Sequence, residues 1–439
     1  MKIAIVLRQM IGPYVNGSQV TCWAIVQNLL RQGHEVHVCS ILAHQELQSL
    51  QNEITTLEST GAKFSPIAFD QALINDSKSG TPHGFLRKFK DFLFLGPVED
   101  HVQSLRFRVL AGEKLRQIRP DAILCYDVHS LCATLGLHIA PKLGLVGDLW
   151  HLNLLLHWKV NKKNESWRRR LKLGIHVHRS ARLHKAVMLE IVRDCDRNVE
   201  FAAHHAKWFQ ENGVRNMIYL PTPVEDPLTD CETPSRPDPL RSSKPRILMI
   251  GDLKNLSSRL GLQMFVDEIL PELDKRFGRD GFETRVVGGG HLPPHIQKKL
   301  VEHPSVKMIG HVSPPHQEFL SADIVLVPTP EKIGIRVRIL VAFGYGCCVV
   351  THADNASGIP ELKHKVNALI GTSGGEIAHL IETAWKNEGL ATEVRRNARA
   401  TFVECFTADK AARRLTDELL QLTNAPRLRS SVETAAATV

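Results

Sequence analysis

Seven prolines crowd the stretch from Leu220 to Pro245 (Pro221, Pro223, Pro227, Pro234, Pro237, Pro239 and Pro245), interspersed with Thr, Ser and Asp. Proline has no backbone N–H to donate to a helix or a central strand, so this segment must be a connection. It divides 439 residues, too many for one compact core, into two halves of comparable size. Both halves alternate short β-rich runs with helical stretches. In the first, residues 2–7 read as a strand, 19–32 as a helix and 34–40 as a second strand, with Gly33 suited to close the helix. Further strands are expected at 122–126 and 143–148, with a helix over 131–140 between them. In the second half the alternation restarts. Strands are expected at 246–250, 283–287, 322–327 and 347–351, and helices at 259–277 and 376–384. Strand–helix–strand repetition favours a parallel sheet wrapped by helices, so the expected fold is α/β, two doubly wound Rossmann-like domains facing each other across a cleft.

This pattern sets expected boundaries: an N-terminal domain over 1–220, a linker over 221–245 and a second domain over 246–405. A final helix over 406–424, N-capped by Thr407 and carrying Leu415, Leu419 and Leu422, would pack back toward the N-terminal domain; residues 425–439 read as a disordered tail.

Composition excludes several classes. At 43% hydrophobic and 23% charged residues the chain is ordinary for a soluble enzyme, and no apolar run approaches the ~20 residues of a membrane span. Met1–Leu7 lacks the long apolar region of a signal peptide and reads as a first strand. The nine cysteines form no CxxC pair, which favours a reduced cytoplasmic set over disulfides or a zinc site. The net charge of +9 calls for an anionic partner. Between Lys159 and Lys185 there are ten Lys or Arg against one acid, Glu165. Phe85, Phe89 and Phe92 fall at helical spacing with Arg87, Lys88 and Lys90 between them, a pattern that suits a headgroup layer and suits an ordinary packed helix equally. An anionic membrane surface is therefore one expected partner, with the protein peripheral at the inner face. Nucleic acid is disfavoured, because no recognised binding motif accompanies the charge.

The most informative stretch runs from Pro328 to Val350 (PTPEKIGIRVRILVAFGYGCCVV). It follows a strand, turns at Gly334 and is expected to enter a helix near Ile335. A helix N-terminus offers free N–H groups and partial positive charge to an anion. Arg336 and Arg338 add guanidinium forks matched to phosphate oxygens. Two surface arginines on an apolar helix would account for the local pattern alone.

In context the segment resembles the group 1 glycosyltransferases, the large retaining class with the glycosyltransferase B fold. Pro328, Gly334, Arg336, Leu340, Ala342, Gly346 and Val349-Val350 match one branch's motif at its spacing, with Arg338 in place of a lysine. Upstream, Gly251-Asp-Leu, Gly261 and Ile269-Leu-Pro271 look like the branch's opening strand and helix; Val286 to Gly289, Gly310-His-Val and Ser321-Ala-Asp fit the elements that follow. Gly358-Ile-Pro-Glu361 and Asn367-Ala-Leu resemble its later turn. The likeness is strong over 245–425 and looser before it.

The resemblance implies transfer of a sugar from a nucleoside-diphosphate sugar to a hydroxyl acceptor, a lipid-linked glycan being one candidate, without a metal or other cofactor. It places Arg336, Arg338, Arg259 and Gly334 at the donor diphosphate, and Gly251, Gly288 and Ile335 at the nucleotide. Asp127 and His129 fall to catalysis, and Gly17 and Asp148 to the acceptor side. Two departures qualify it. Val341 stands where the family usually carries a ribose-binding glutamate, and Tyr126 where many members carry a histidine. They motivate an alternative, a catalytically weakened scaffold that binds a sugar nucleotide or a partner. A nucleotide-sugar epimerase of the same fold fits the 334–346 segment less well.

Overall fold

The computed structural model describes residues 1–12, 17–70, 107–162, 166–228 and 243–424. The Phe85–Phe92 segment, the middle of the proline-rich connection and the tail from 425 lie outside them.

The first half builds one sheet from β1 (Lys2–Leu7), β2 (Glu35–Ala43), β3 (Lys63–Phe64), β4 (Ile67–Phe69), β5 (Ala122–Tyr126), β6 (Lys142–Leu145), β7 (Arg197–Glu200) and β8 (Met217–Tyr219). Its order is β3-β2-β1-β5-β6-β7-β8, with β4 also on β2, and every pairing is parallel. The second half builds β9 (Arg246–Ile250), β10 (Glu283–Val287), β11 (Val306–Gly310), β12 (Ile324–Val327), β13 (Cys348–His352) and β14 (Leu369–Gly371). They run β11-β10-β9-β12-β13-β14, again all parallel.

Parallel strands need helical crossovers on both faces, so their side chains are buried on both. The residues reflect this: β5 (Ala-Ile-Leu-Cys-Tyr) and β12 (Ile-Val-Leu-Val) are unbroken apolar runs, buried throughout. Two apolar clusters flank each sheet. In both sheets the order reverses at the first strand, between β1 and β5 and between β9 and β12. Loops leaving neighbouring strands there diverge to opposite faces and open a crevice at the carboxyl ends.

Several local expectations shift. The helix expected over 131–140 is Val128–Ala133, because Asp127 caps it from the strand end. The helix Leu256–Met264 continues through a π-helical turn, Phe265–Ile269, into Leu270–Phe277. Thr407 is not a side-chain cap; its hydroxyl donates to the carbonyl of Val403 at 3.4 Å. The final helix, Ala408–Asn424, lies on the helix Gly17–Arg31, with Leu415 and Leu419 inside the same apolar cluster as Ile3, Ile5 and Leu7. The crossing is tied by Arg31 to Asp409 at 3.0 Å and by the bridge pairing Val224 with Thr407.

Candidate active site

The donor side starts at the end of β12. Asn355 donates to the carbonyls of Val327 (3.1 Å) and Thr329 (3.4 Å), holding the strand end. The loop then turns at Gly334, whose φ of +56° favours glycine. A Cβ there would also overlap the carboxylate of Asp148, which comes from the N-terminal domain. The helix begins at Val337, two residues later than the sequence suggested, and Arg336 is its N-cap at φ −104° and ψ 86°. Ile335 therefore lies in the loop.

That offset sends the two arginines in different directions. Arg338 turns into the C-terminal domain beneath the loop after β9. It donates to the Ile250 carbonyl (3.1 Å), Ser258 Oγ (2.9 Å) and Thr329 Oγ1 (3.3 Å). Gly251 is needed beside it, since a Cβ would run into the guanidinium, and a Cβ on Gly288 would run into the Gly251 carbonyl. These glycines let the ends of β9 and β10 close around the arginine. Arg336 turns to the cleft and the charge of Asp148.

The hydrogen-bond partners of Arg338 among the described residues, a carbonyl and two hydroxyls, are neutral. Burial pushes its guanidinium down to about 9, and the charge of Arg336 adds to the shift. Arg336 is lowered by burial too, partly offset by Asp148. The buried Nε atoms of Arg336 and Arg259 have no partner among the described residues. Burial lowers the pKa of His157, on the facing helix Trp150–Asn161, and the nearby charge of Arg259 adds to the shift. Arg338 bonds Ser258, the residue before Arg259, so the three arginines all lie on the segments that follow β9 and β12 at the second switch point. Half-buried guanidinium groups with buried, unpartnered Nε atoms favour an anion that supplies several acceptor oxygens at once.

The N-terminal domain supplies the opposite wall. Asp127, at the end of β5, is held at φ 92° while its carboxylate accepts from Ser130 N–H (2.8 Å) and Arg8 N–H (3.3 Å). Such a backbone is strained for a residue with a side chain, and the two N–H contacts hold it there. Burial pushes its carboxyl up to about 6, against the pull of those bonds. His129 meets the ring of Trp150 edge-on at 5.0 Å. Gly17 opens the first helix after β1, so it too lies at the first switch point. Tyr126 is buried at the end of β5 with its hydroxyl well above its ordinary pKa.

Asp148 reaches across to the donor loop, and protein from both sides raises its pKa while Arg336 opposes the rise. The structure therefore brings Asp148, Gly334 and Arg336 together, and separately Arg338, Gly251 and Gly288. Asp127, His129 and Gly17 form the far wall.

Sequence reasoning missed what fixes the donor loop. The helix Ala203–Glu211 presents its first turn to it. Ala203 N–H donates to the Gly358 carbonyl (3.1 Å), and His204 Nε2 to that of Lys332 (3.1 Å). His205 Nε2 accepts from Gly334 N–H (3.3 Å). Burial drives His205 down to about 3, which keeps it neutral and able to accept. Lys159, on Trp150–Asn161, pairs with Glu331 at 2.7 Å. The only signal in the sequence was position: a His-His pair just past a strand end, where ligands of such sheets gather.

Residues 244–387 match the family model for the glycosyl transferases group 1. The C-terminal domain is a group 1 glycosyltransferase domain. Solved structures similar over nearly the whole chain share its two-domain glycosyltransferase B fold. A glycosyltransferase from Rickettsia africae is 14% identical with a TM-score of 0.64, covering 97% of this chain and 99% of that one. Anabaena HepE, solved in complex with UDP and glucose, is 14% identical with a TM-score of 0.62, covering 96% and 99%. Staphylococcus aureus TarM, solved with fondaparinux, α-GlcNAc-glycerol and UDP, is 10% identical with a TM-score of 0.65, covering 97% and 100%. No curated protein sequence matches the chain.

The arginine cluster and its glycines lie inside the matched glycosyltransferase domain. Val341, within the same helix as Arg338, packs half-buried against the apolar cluster around Val349.

Proposed function

We propose that this glycosyltransferase moves a sugar, with retention of anomeric configuration, from a nucleoside-diphosphate sugar to a hydroxyl acceptor. The observation that carries the reading is the set of Arg259, Arg336 and Arg338 on the segments that follow β9 and β12, two of them with buried Nε atoms that have no partner among the described residues. As the glycosidic bond breaks, negative charge gathers on the leaving diphosphate. Donors already aimed at it stabilise the transition state more than the ground state, by about 2–4 kcal/mol per contact. Arg336 and Arg259 would hold the diphosphate oxygens. Arg338, braced by Ser258, Thr329 and the Ile250 carbonyl, would supply positive charge from below. The nucleotide would lie along Gly251 and Gly288, and the acceptor hydroxyl against Gly17, Asp127, His129 and Asp148.

In this reading the arginines do the work of a divalent cation, so EDTA should leave transfer unchanged. A loss restored by Mg²⁺ or Mn²⁺ would contradict it. A panel of nucleotide sugars, scored for transfer, for hydrolysis and for interconversion of the donor, tests the reaction class. Donor interconversion without release of the nucleoside diphosphate would point to an epimerase.

A second reading, a scaffold that binds the donor without turning it over, is favoured by Val341, whose side chain cannot accept a ribose hydroxyl and is committed to packing. Nucleotide-induced stabilisation with no turnover across acceptors, including lipid-linked glycans, would support it.

A further inference from the structure

Eight of the ten basic residues from Lys159 to Lys185 fall on two helices that pack on each other, Trp150–Asn161 and Trp167–Arg193. Gly174 makes the contact: a Cβ there would sit 3.2 Å from the ring of Trp158. The second half of the longer helix is anchored by Ser180, Ala181, His184, Met188, Ile191 and Val192, all buried. Its first half is not. Trp167, Leu171 and Ile175 are 71%, 60% and 57% exposed. They recur at i, i+4 and i+8, so they form one stripe along one face.

The charge around this stripe is of one sign. Arg168 and Lys172 are exposed beside it, Arg182 is exposed further along the same face, and no acid occurs from Trp167 to Leu189. The guanidinium of Arg168 lies over the Trp167 ring at 5.3 Å. An aromatic and aliphatic strip edged by long cationic side chains is costly in water. It matches a bilayer interface, where the strip enters the acyl boundary and the cations meet anionic headgroups.

We propose that the face of Trp167, Leu171 and Ile175 docks on an anionic lipid surface. Charge complementarity selects this occupant: a water-soluble apolar partner would leave the cations unmatched, and a polyanion such as RNA would leave the strip uncovered. No described helix is long and apolar enough to cross a membrane, so the contact is in the plane of the interface. Because Trp158 fixes this helix to the one carrying Lys159, which pairs with Glu331 on the donor loop, the docked face lies beside the cleft. An acceptor presented from a bilayer would then meet the cleft without leaving its membrane. The docking itself does not depend on the donor reading.

The test is flotation of the full chain with vesicles of phosphatidylcholine alone and with about one third phosphatidylglycerol, without nucleotide. Binding is expected to the anionic vesicles, at least ten-fold weaker to the zwitterionic ones. It should fall at least ten-fold in the double variant Leu171→Asp/Ile175→Asp and several-fold in Arg168→Glu/Lys172→Glu. All four positions are exposed, so melting temperatures should stay near that of the wild type. Brominated acyl chains should quench tryptophan emission, and part of that quenching should vanish in Trp167→Phe. Anionic-vesicle binding unchanged by the Leu171/Ile175 pair, or absent altogether, would overturn the proposal. So would RNA binding that competes the protein off the vesicles and is itself indifferent to the aspartate pair.

Discussion

The arginine pair shows how a two-residue difference in a helix start decides what a side chain can do. Had the helix begun at Ile335, both guanidinium groups would have followed helical geometry. With Arg336 as the N-cap, one arginine braces the domain and the other faces the cleft. Gly334 is the residue on which that turn depends. Gly334→Ala would place a Cβ against Asp148 in a backbone conformation that alanine avoids, so a loss of about 1–3 kcal/mol is expected. It should appear as a lower melting temperature together with weaker nucleotide binding.

Asp127 carries a pH signature of the less usual sign. Its folded pKa of about 6 exceeds the ordinary 3.8, so the unfolded chain gives up this proton first as pH rises. The folded state binds more protons between those values, and the contribution of Asp127 to stability falls as pH climbs from 3.8 to about 6. Asp127→Asn removes that decline. The melting temperature of the variant relative to the wild type should therefore climb over this pH interval and level off above it. A difference that stays flat, or shrinks, would show that the carboxylate is not raised.

At the scale of elements, what could be read in advance and what could not divide along physical lines. The strands β1, β5, β9 and β12 were legible because a parallel strand buried on both faces is a nearly unbroken apolar run bounded by turn residues. The first helix and the helical stretch ending at Phe277 followed from their apolar spacing. The helix after β5 was misplaced because its start is set by one aspartate side chain, a contact that periodicity does not register. The helices Trp150–Asn161 and Trp167–Arg193 were seen only as a charge run, since the outward stripe of the second is as apolar as a core face. The interdomain clamp was hidden for another reason. Gly334 and His205 are 129 positions apart, and only the docking of two domains makes them partners.

That clamp is testable. His205→Ala leaves the Gly334 N–H unpaired and opens a small cavity. A stability loss of about 1–3 kcal/mol is expected. If the ring positions the donor loop, the apparent Kd for a nucleoside diphosphate should also rise several-fold. His205→Gln, which can still accept a hydrogen bond, should recover part of the affinity. Equal affinity in all three proteins would reduce His205 to a packing role.

At the scale of the molecule, two parallel sheets present their switch points across one cleft, and several connections among the described residues hold them there. The donor loop meets the helix Ala203–Glu211. Tyr219 donates to Glu361 at 2.8 Å. The C-terminal helix leaves the glycosyltransferase domain and seats Leu415 and Leu419 in the N-terminal core. Leu415→Ala should cost about 2–5 kcal/mol, registering as destabilisation of the N-terminal domain in hydrogen exchange despite its position near the chain's end. The domain match and the shared fold establish a group 1 glycosyltransferase domain in a two-domain fold; in the proposed function the three arginines would tie that fold to a ligand. The most direct test is the thermal stabilisation of the protein by UDP and by GDP, with and without Arg336→Ala. At least one nucleotide should raise the melting temperature of the wild type, and Arg336→Ala should weaken its binding at least ten-fold, about 1.4 kcal/mol or more. Stabilisation by neither nucleotide, or a shift that Arg336→Ala leaves intact, would contradict the account.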